Sequence, residues 1–194
     1  MTNPTAAMIV IGDEILSGRT RDANMFNLAG KLSVHGINLL EVRVISDKSS
    51  EIIAAVNATR AKYDHVFTSG GIGPTHDDIT ADCIAAAFNV QIGIRDDAKN
   101  ILATNYENGI EDLTPARLRM ARIPDGAHLI ENMISKAPGF SMENVGDLKE
   151  RHFRQKLAPK SIQERHKNSQ ERPKTSQKQQ KWINSKGIKK ESRK

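Results

Sequence analysis

Three short apolar stretches, each followed by a segment with apolar residues at helical spacing, limit the folds open to this chain. Residues 6–11 (Ala-Ala-Met-Ile-Val-Ile) are continuously apolar and end at Gly12, the pattern of a strand covered on both faces. Met25, Leu28, Ala29 and Leu32 then recur as on one face of a helix, with Gly36 as its C-cap. Leu40, Val42 and Val44 alternate with Glu41 and Arg43, the signature of a second strand. Ser49 or Ser50 caps the next helix, whose stripe is Ile52, Ile53 and Val56. Residues 65–68 form a third strand, and Ile79, Cys83, Ile84, Ala87 and Phe88 form the buried face of a third helix. This alternation predicts an α/β fold with a mostly parallel sheet covered by helices. Ligands of such sheets sit beyond the carboxyl ends of the strands, so the loops at Gly12 and Gly70 are expected to open on one rim.

Farther along, residues 96–108 read as a helix, and Thr114-Pro115 starts another with a threonine cap and proline in the first turn. Pro124-Asp125-Gly126 is a turn, residues 127–130 a short strand, and Ala137-Pro138-Gly139-Phe140 a loop, after which Met142 should begin a strand. From Gly146 onward the composition changes. Up to Val145 there are 13 Lys+Arg against 18 Asp+Glu; beyond it there are 16 against 5. The sequence reading therefore divides the chain into a domain, 1–145, and a basic tail, 146–194, too poor in apolar residues to offset its ordering entropy. No apolar run approaches the roughly 20 residues of a membrane span. The lone Cys83 excludes a disulfide framework and fits a reducing compartment, so a soluble cytoplasmic protein is expected.

The chemistry concentrates in residues 68–80, Thr-Ser-Gly-Gly-Ile-Gly-Pro-Thr-His-Asp-Asp-Ile-Thr. Three glycines between a strand and a helix can turn N–H groups toward a phosphate. The loop is not a P-loop, because Pro74-Thr75 stands where Lys-Ser/Thr is required, and not a dinucleotide fingerprint, because His76 occupies the place of a small residue. What remains is Gly-Gly-x-Gly-Pro-x-x-Asp-Asp-x-Thr. With residues 11–24 (Ile-Gly-Asp-Glu-Ile-Leu-Ser-Gly-Arg-Thr-Arg-Asp-Ala-Asn), 44–47 (Val-Ile-Ser-Asp) and 136–140 (Lys-Ala-Pro-Gly-Phe), it resembles the MoaB/Mog-type molybdopterin-binding domain. The N-terminal domain of the competence/damage-inducible protein A (CinA) family is the nearer match.

That resemblance implies a three-layer α/β/α fold, often oligomeric, binding molybdopterin or a nucleotide analogue. It also implies phosphoanhydride chemistry beside a divalent metal such as Mg²⁺: adenylyl transfer in one branch, cleavage of an ADP-ribose-type pyrophosphate in the other. The matching catalytic positions are Asp47 and Asp78, with Asp78 the metal candidate. Gly12, Asp13, Glu14, Asn24, Ser69, Gly70, Gly71, Gly73, Thr80, Pro138 and Gly139 are the ligand- or phosphate-binding candidates.

The residues themselves leave plainer readings open. Asp77 and Asp78 could complement a helix dipole, Asp13 and Glu14 could be a solvated turn, Asp47 a strand-end turn residue and Asp22 a helix cap. His76 has no nucleophile at a useful spacing and is assigned to loop positioning, Cys83 to the core. Asp82 is either a supporting group or simply solvated. A non-catalytic binding module stands beside the enzyme reading. The tail departs from the resemblance, since an apolar strand and a proline-glycine loop are expected after Val145. It reads as a frameshifted or truncated frame. The rival is a basic arm for nucleic acid, and the scarcity of aromatic residues there opposes it.

Overall fold

The computed structural model describes residues 2–71, 73–132 and 136–147; the predictions made for the tail beyond Asp147 lie outside them. In chain order the elements are β1 (Thr5–Ile11), α1 (Asp13–Leu16), α2 (Asn24–Val34), β2 (Asn38–Ile45), α3 (Ser49–Arg60), β3 (His65–Ser69) and α4 (Thr80–Phe88). Then follow β4 (Ile92–Ile94), α5 (Asp96–Ala103), a 3₁₀ turn at Gly109–Asp112, α6 (Pro115–Leu118) and a second 3₁₀ turn at Arg119–Ala121. The segment ends with β5 (Arg122–Pro124), β6 (His128–Ile130), β7 (Gly139–Met142) and β8 (Val145–Asp147).

The main sheet has six strands in the order β2-β1-β3-β8-β7-β6. β2, β1, β3 and β8 are mutually parallel, and β7 and β6 are antiparallel additions. β1 is buried along nearly its whole length because it lies between β2 and β3 with helices on both faces. Ala7, Ile9 and Ile11 pack with Ile52 and Val56 of α3 and Cys83 and Ile84 of α4 in one core. Met8 and Val10 alternate onto the other face, the side on which α2 buries Leu28 and Leu32. Fully burying one such aliphatic side chain contributes about 1.5–3 kcal/mol, so these two layers hold the central strands rigid beneath the rim. Cys83 is buried, as its place on the apolar stripe predicts.

Several boundaries differ from the sequence reading. The helix expected over 96–108 stops at Ala103, and turns replace its last part. β4 and β5 pair antiparallel in a small separate sheet that no periodicity announces. Gly139 and Phe140 belong to β7 rather than to a loop. Gly146 and Asp147, assigned to the tail, continue strand β8 against β3, with Thr68 beside Asp147. The resemblance implies a strand after Val145, and Val145–Asp147 form one beside β3. Two of them, Gly146 and Asp147, are not aliphatic, and neighbours on both sides hold them in register.

Candidate functional site

The carboxyl ends of β1, β2 and β3 lie side by side, because Ile11 pairs with Ile45 and Val10 with Ser69. The register brings Gly12, Asp13, Asp47 and Ser69 onto one rim although they are spread over the first third of the chain. The Gly12 N–H donates to the Ile45 carbonyl (3.1 Å), and the Asp13 N–H donates to Oδ2 of Asp47 (3.2 Å). Asp13 and Glu14 open the short helix α1 and are exposed. Asn24, the first residue of α2, donates from Nδ2 to Ser69 Oγ (2.7 Å) and ties α2 to the end of β3. Asp22 accepts from the N–H groups of Asn24 and Met25 (3.1 and 2.9 Å), so it caps α2.

The glycine loop is shaped by close approach. A Cβ on Gly70 would lie 1.9 Å from the Ile11 carbonyl oxygen, and its φ of +101° is one that residues other than glycine rarely adopt. Thr80 anchors the loop from beneath: its hydroxyl donates to the Gly70 carbonyl (2.8 Å) and its N–H to the Gly71 carbonyl (3.1 Å). Thr80 is fully buried beneath the loop. It is also where α4 begins. Asp77 and Asp78 therefore precede the helix in a turn instead of opening it. Oδ2 of Asp78 accepts from the Thr75 N–H (2.8 Å) and from the Thr75 hydroxyl, closing the turn on itself.

Beside the loop lies a small cleft open to solvent. Gly71, Gly73 and Asp78 form one wall, and Arg119, Arg122, Phe140 and Asp147 contribute to the others. The arginines and Asp147 were not among the sequence candidates. Arg119 donates from Nε to the Thr75 carbonyl (3.0 Å) and from Nη2 to the Asp78 carbonyl (3.4 Å), clamping the glycine loop to the second 3₁₀ turn. A guanidinium has five N–H donors, so it retains capacity for an anion. Arg122 holds Asp82 through two bonds of 2.9 and 2.7 Å; Asp82 is thus paired rather than merely solvated. Asp147 is buried and accepts from the Thr68 hydroxyl (3.0 Å). Pro138 and Gly139 are buried, and a Cβ on Gly139 would sit 2.7 Å from the Asp147 carbonyl, so Gly139 lets β7 approach β8. His76 is exposed in the loop.

The rim is acidic. Burial raises the Asp47 carboxyl above its ordinary value; the Asp13 N–H works against this, and the charges of Glu14, Asp13 and Asp77 add to it. Among the described residues, no group of three or more His, Cys, Asp or Glu side chains converges to hold a metal ion. One Asp78 oxygen is engaged by Thr75.

Parallel strand ends, a close-packed glycine loop and a cleft with a guanidinium at its wall define an α/β protein whose candidate site lies above the carboxyl ends of its sheet. Residues 7–162 match the family described as "Probable molybdopterin binding domain", and the chain belongs to that family. Its fold, a mostly parallel sheet flanked by helices, is shared with a solved CinA protein. The crystal structure of CinA from Thermoplasma acidophilum superimposes with a TM-score of 0.69 at 35% identity, over 76% of this chain and 89% of that one. Protein Ta0487 of the same organism is 38% identical over 134 residues, 69% of this chain and 52% of its own. A probable FAD synthase of Caenorhabditis elegans is 47% identical over 95 residues, 49% of this chain and 18% of its own. The chain spans about half the length, or less, of the curated relatives it matches. No described helix is long and apolar enough to cross a membrane.

Proposed function

We propose that this chain is a binding module for a phosphate-bearing heterocycle, a pterin or a nucleotide, seated over the strand ends with its phosphate at the glycine loop. The observation that carries this reading is the loop itself: Gly70 packs on the Ile11 carbonyl so tightly that no side chain fits, and Arg119 clamps the turn that follows. Backbone N–H groups of such a loop and the guanidinium supply the positive field a phosphate needs. The heterocycle lies toward Asn24, Asp13 and Asp47, polar groups suited to the edge of a pterin or ribose. Relatives named as probable FAD synthases support the same ligand class, a heterocycle joined to a phosphoanhydride.

Turnover of a phosphoanhydride at Asp47 and Asp78 is the second reading, supported by the placement of Asp47 on the rim and Asp78 at the cleft. Any divalent ion taking part would be held chiefly by ligand phosphates and water beside Asp78, as Mg²⁺ commonly is; bound there, it would neutralise phosphate charge. The binding reading needs none of this. Thermal-shift titration of the full chain with ADP-ribose, FAD and a pterin phosphate, with and without Mg²⁺, separates the two. Binding predicts a rise in Tm with at least one ligand and a roughly tenfold loss of affinity in Arg119→Met, the 1.4 kcal/mol of one charged contact. Release of AMP from ADP-ribose, lost in Asp78→Asn, would establish turnover. No ligand-induced shift at millimolar concentration contradicts both readings.

A further inference from the structure

β2 forms one edge of the main sheet and is hydrogen-bonded, among the described residues, only to β1. Consecutive strand residues turn their N–H and C=O groups to alternate edges. The Ile45 carbonyl accepts from Gly12 on the β1 side, so Glu41 and Arg43, in phase with Ile45, also serve β1. Val42 and Val44 turn their backbone groups to the open edge. The register sets Val42 beside Met8 and Val44 beside Val10, so their side chains share one face of the sheet. Leu40 occupies the bulge between the partners of Ala6 and Ala7. Leu40 and Val44 are 61% and 42% exposed, an apolar pair at an unpaired edge of the kind that templates strand addition.

We propose that this edge docks a second copy of the chain, β2 against β2, about a two-fold axis through Val42. Two identical edges related by a two-fold axis perpendicular to the sheet pair antiparallel. The pleat requires facing residues to lie on the same face, so only registers with a residue on the axis, or shifts of whole residues from it, are allowed. With Val42 on the axis, Glu41 faces Arg43 of the second copy and Arg43 faces its Glu41, and the exposed Leu40 and Val44 lie along the seam that the second copy covers. Moving the axis one residue either way puts Glu41 opposite Glu41, or Arg43 opposite Arg43, a like-charge pair that destabilises the register. The strand is therefore complementary to itself with Val42 on the axis and not in either adjacent register. Within its own chain Glu41 is already held in place by Arg43 Nε (2.6 Å), Tyr63 Oη (2.5 Å) and Lys62 Nζ (3.2 Å), so the charges that would meet the second copy are ordered before it arrives. This assignment stands independently of the ligand.

Sedimentation of the full chain tests it, together with two kinds of variant. Val42→Pro removes an N–H that faces outward and spares the bonds to β1, as proline on edge strands does. It should shift a concentration-dependent dimer to monomer, weakening association by roughly tenfold or more. In Val42→Cys the two sulfurs meet at the axis, where a hydrogen-bonded antiparallel pair places Cα atoms about 5.5 Å apart, within the span of a disulfide. In Val44→Cys the equivalent pair is roughly 14 Å apart. Mild oxidation should therefore cross-link Val42→Cys and leave Val44→Cys monomeric on a non-reducing gel; native Cys83 is buried and silent. A wild-type chain that stays monomeric at about 100 μM, a dimer indifferent to Val42→Pro, or cross-linking of Val44→Cys equal to that of Val42→Cys would overturn the assignment.

Discussion

Individual residues of the site carry opposite relations to stability. Gly70 is irreplaceable on steric grounds, since a methyl group would lie 1.9 Å from the Ile11 carbonyl oxygen. Gly70→Ala is expected to cost about 3 kcal/mol or more, read as a lower urea midpoint at unchanged m-value. Asp47 is the reverse case. Its folded-state carboxyl is raised above the ordinary value by burial and by the neighbouring acids. The stability tied to its protonated form is therefore complete below the ordinary carboxylate range and is lost as pH rises through the raised value. Asp47→Asn should raise Tm at pH 7, by about 1–2 °C, and leave it unchanged in acid, while weakening ligand binding. A group that stabilises by being removed is what a site, rather than a core, contains. The glycine loop stands out in the sequence by its residue types, whereas Asp47 is a candidate only through the family resemblance. Arg119, Arg122 and Asp147 were not legible, because only the folding of distant segments brings them to the cleft wall.

At the scale of elements, the sheet edge and the α4–β5 contact each make a distinct prediction. Glu41 on β2 is held down to about 2 by the Tyr63 hydroxyl first, then by Arg43 and Lys62. A depressed carboxylate contributes stability above its unfolded value and loses it as pH falls through the folded one. Glu41→Gln should therefore cost about 1 kcal/mol at neutral pH, allowing for solvent screening, and almost nothing near pH 2, as urea melts at the two pH values would show. The Arg122–Asp82 pair joins β5 to α4 through two bonds with its side chains about a third exposed. Asp82→Asn should cost about 1 kcal/mol and loosen the cleft wall without altering the rim. The first three strand–helix units could be read from their sequence because each has its own period and stop signal. β4 and β5 could not: each is three residues long, and 27 residues separate Ile94 from Arg122, so their pairing leaves no local trace. β8 was missed for a related reason, since Val145-Gly146-Asp147 is a strand by virtue of β3 and β7 on either side.

For the molecule as a whole, the parallel order β2-β1-β3-β8 sets four carboxyl ends in a row. It collects at one end of the sheet the residues that the sequence distributes from Gly12 to Asp147. The helical layers keep this row rigid, and the loops above it supply the chemistry. A ligand bound there stabilises the folded state by RT ln(1 + [L]/Kd), about 2.7 kcal/mol at a hundredfold excess over Kd, so occupancy can be read without any assay of turnover. The most direct measurement is an amide chemical-shift map of the ¹⁵N-labelled full chain titrated with ADP-ribose or a pterin phosphate. The binding proposal predicts saturable shifts concentrated at the amides of Gly12, Asp13, Asn24, Gly70, Gly71 and Gly73, with the Arg119 Nε signal moving in parallel. Shifts confined to another surface, or none at saturating ligand, would contradict it.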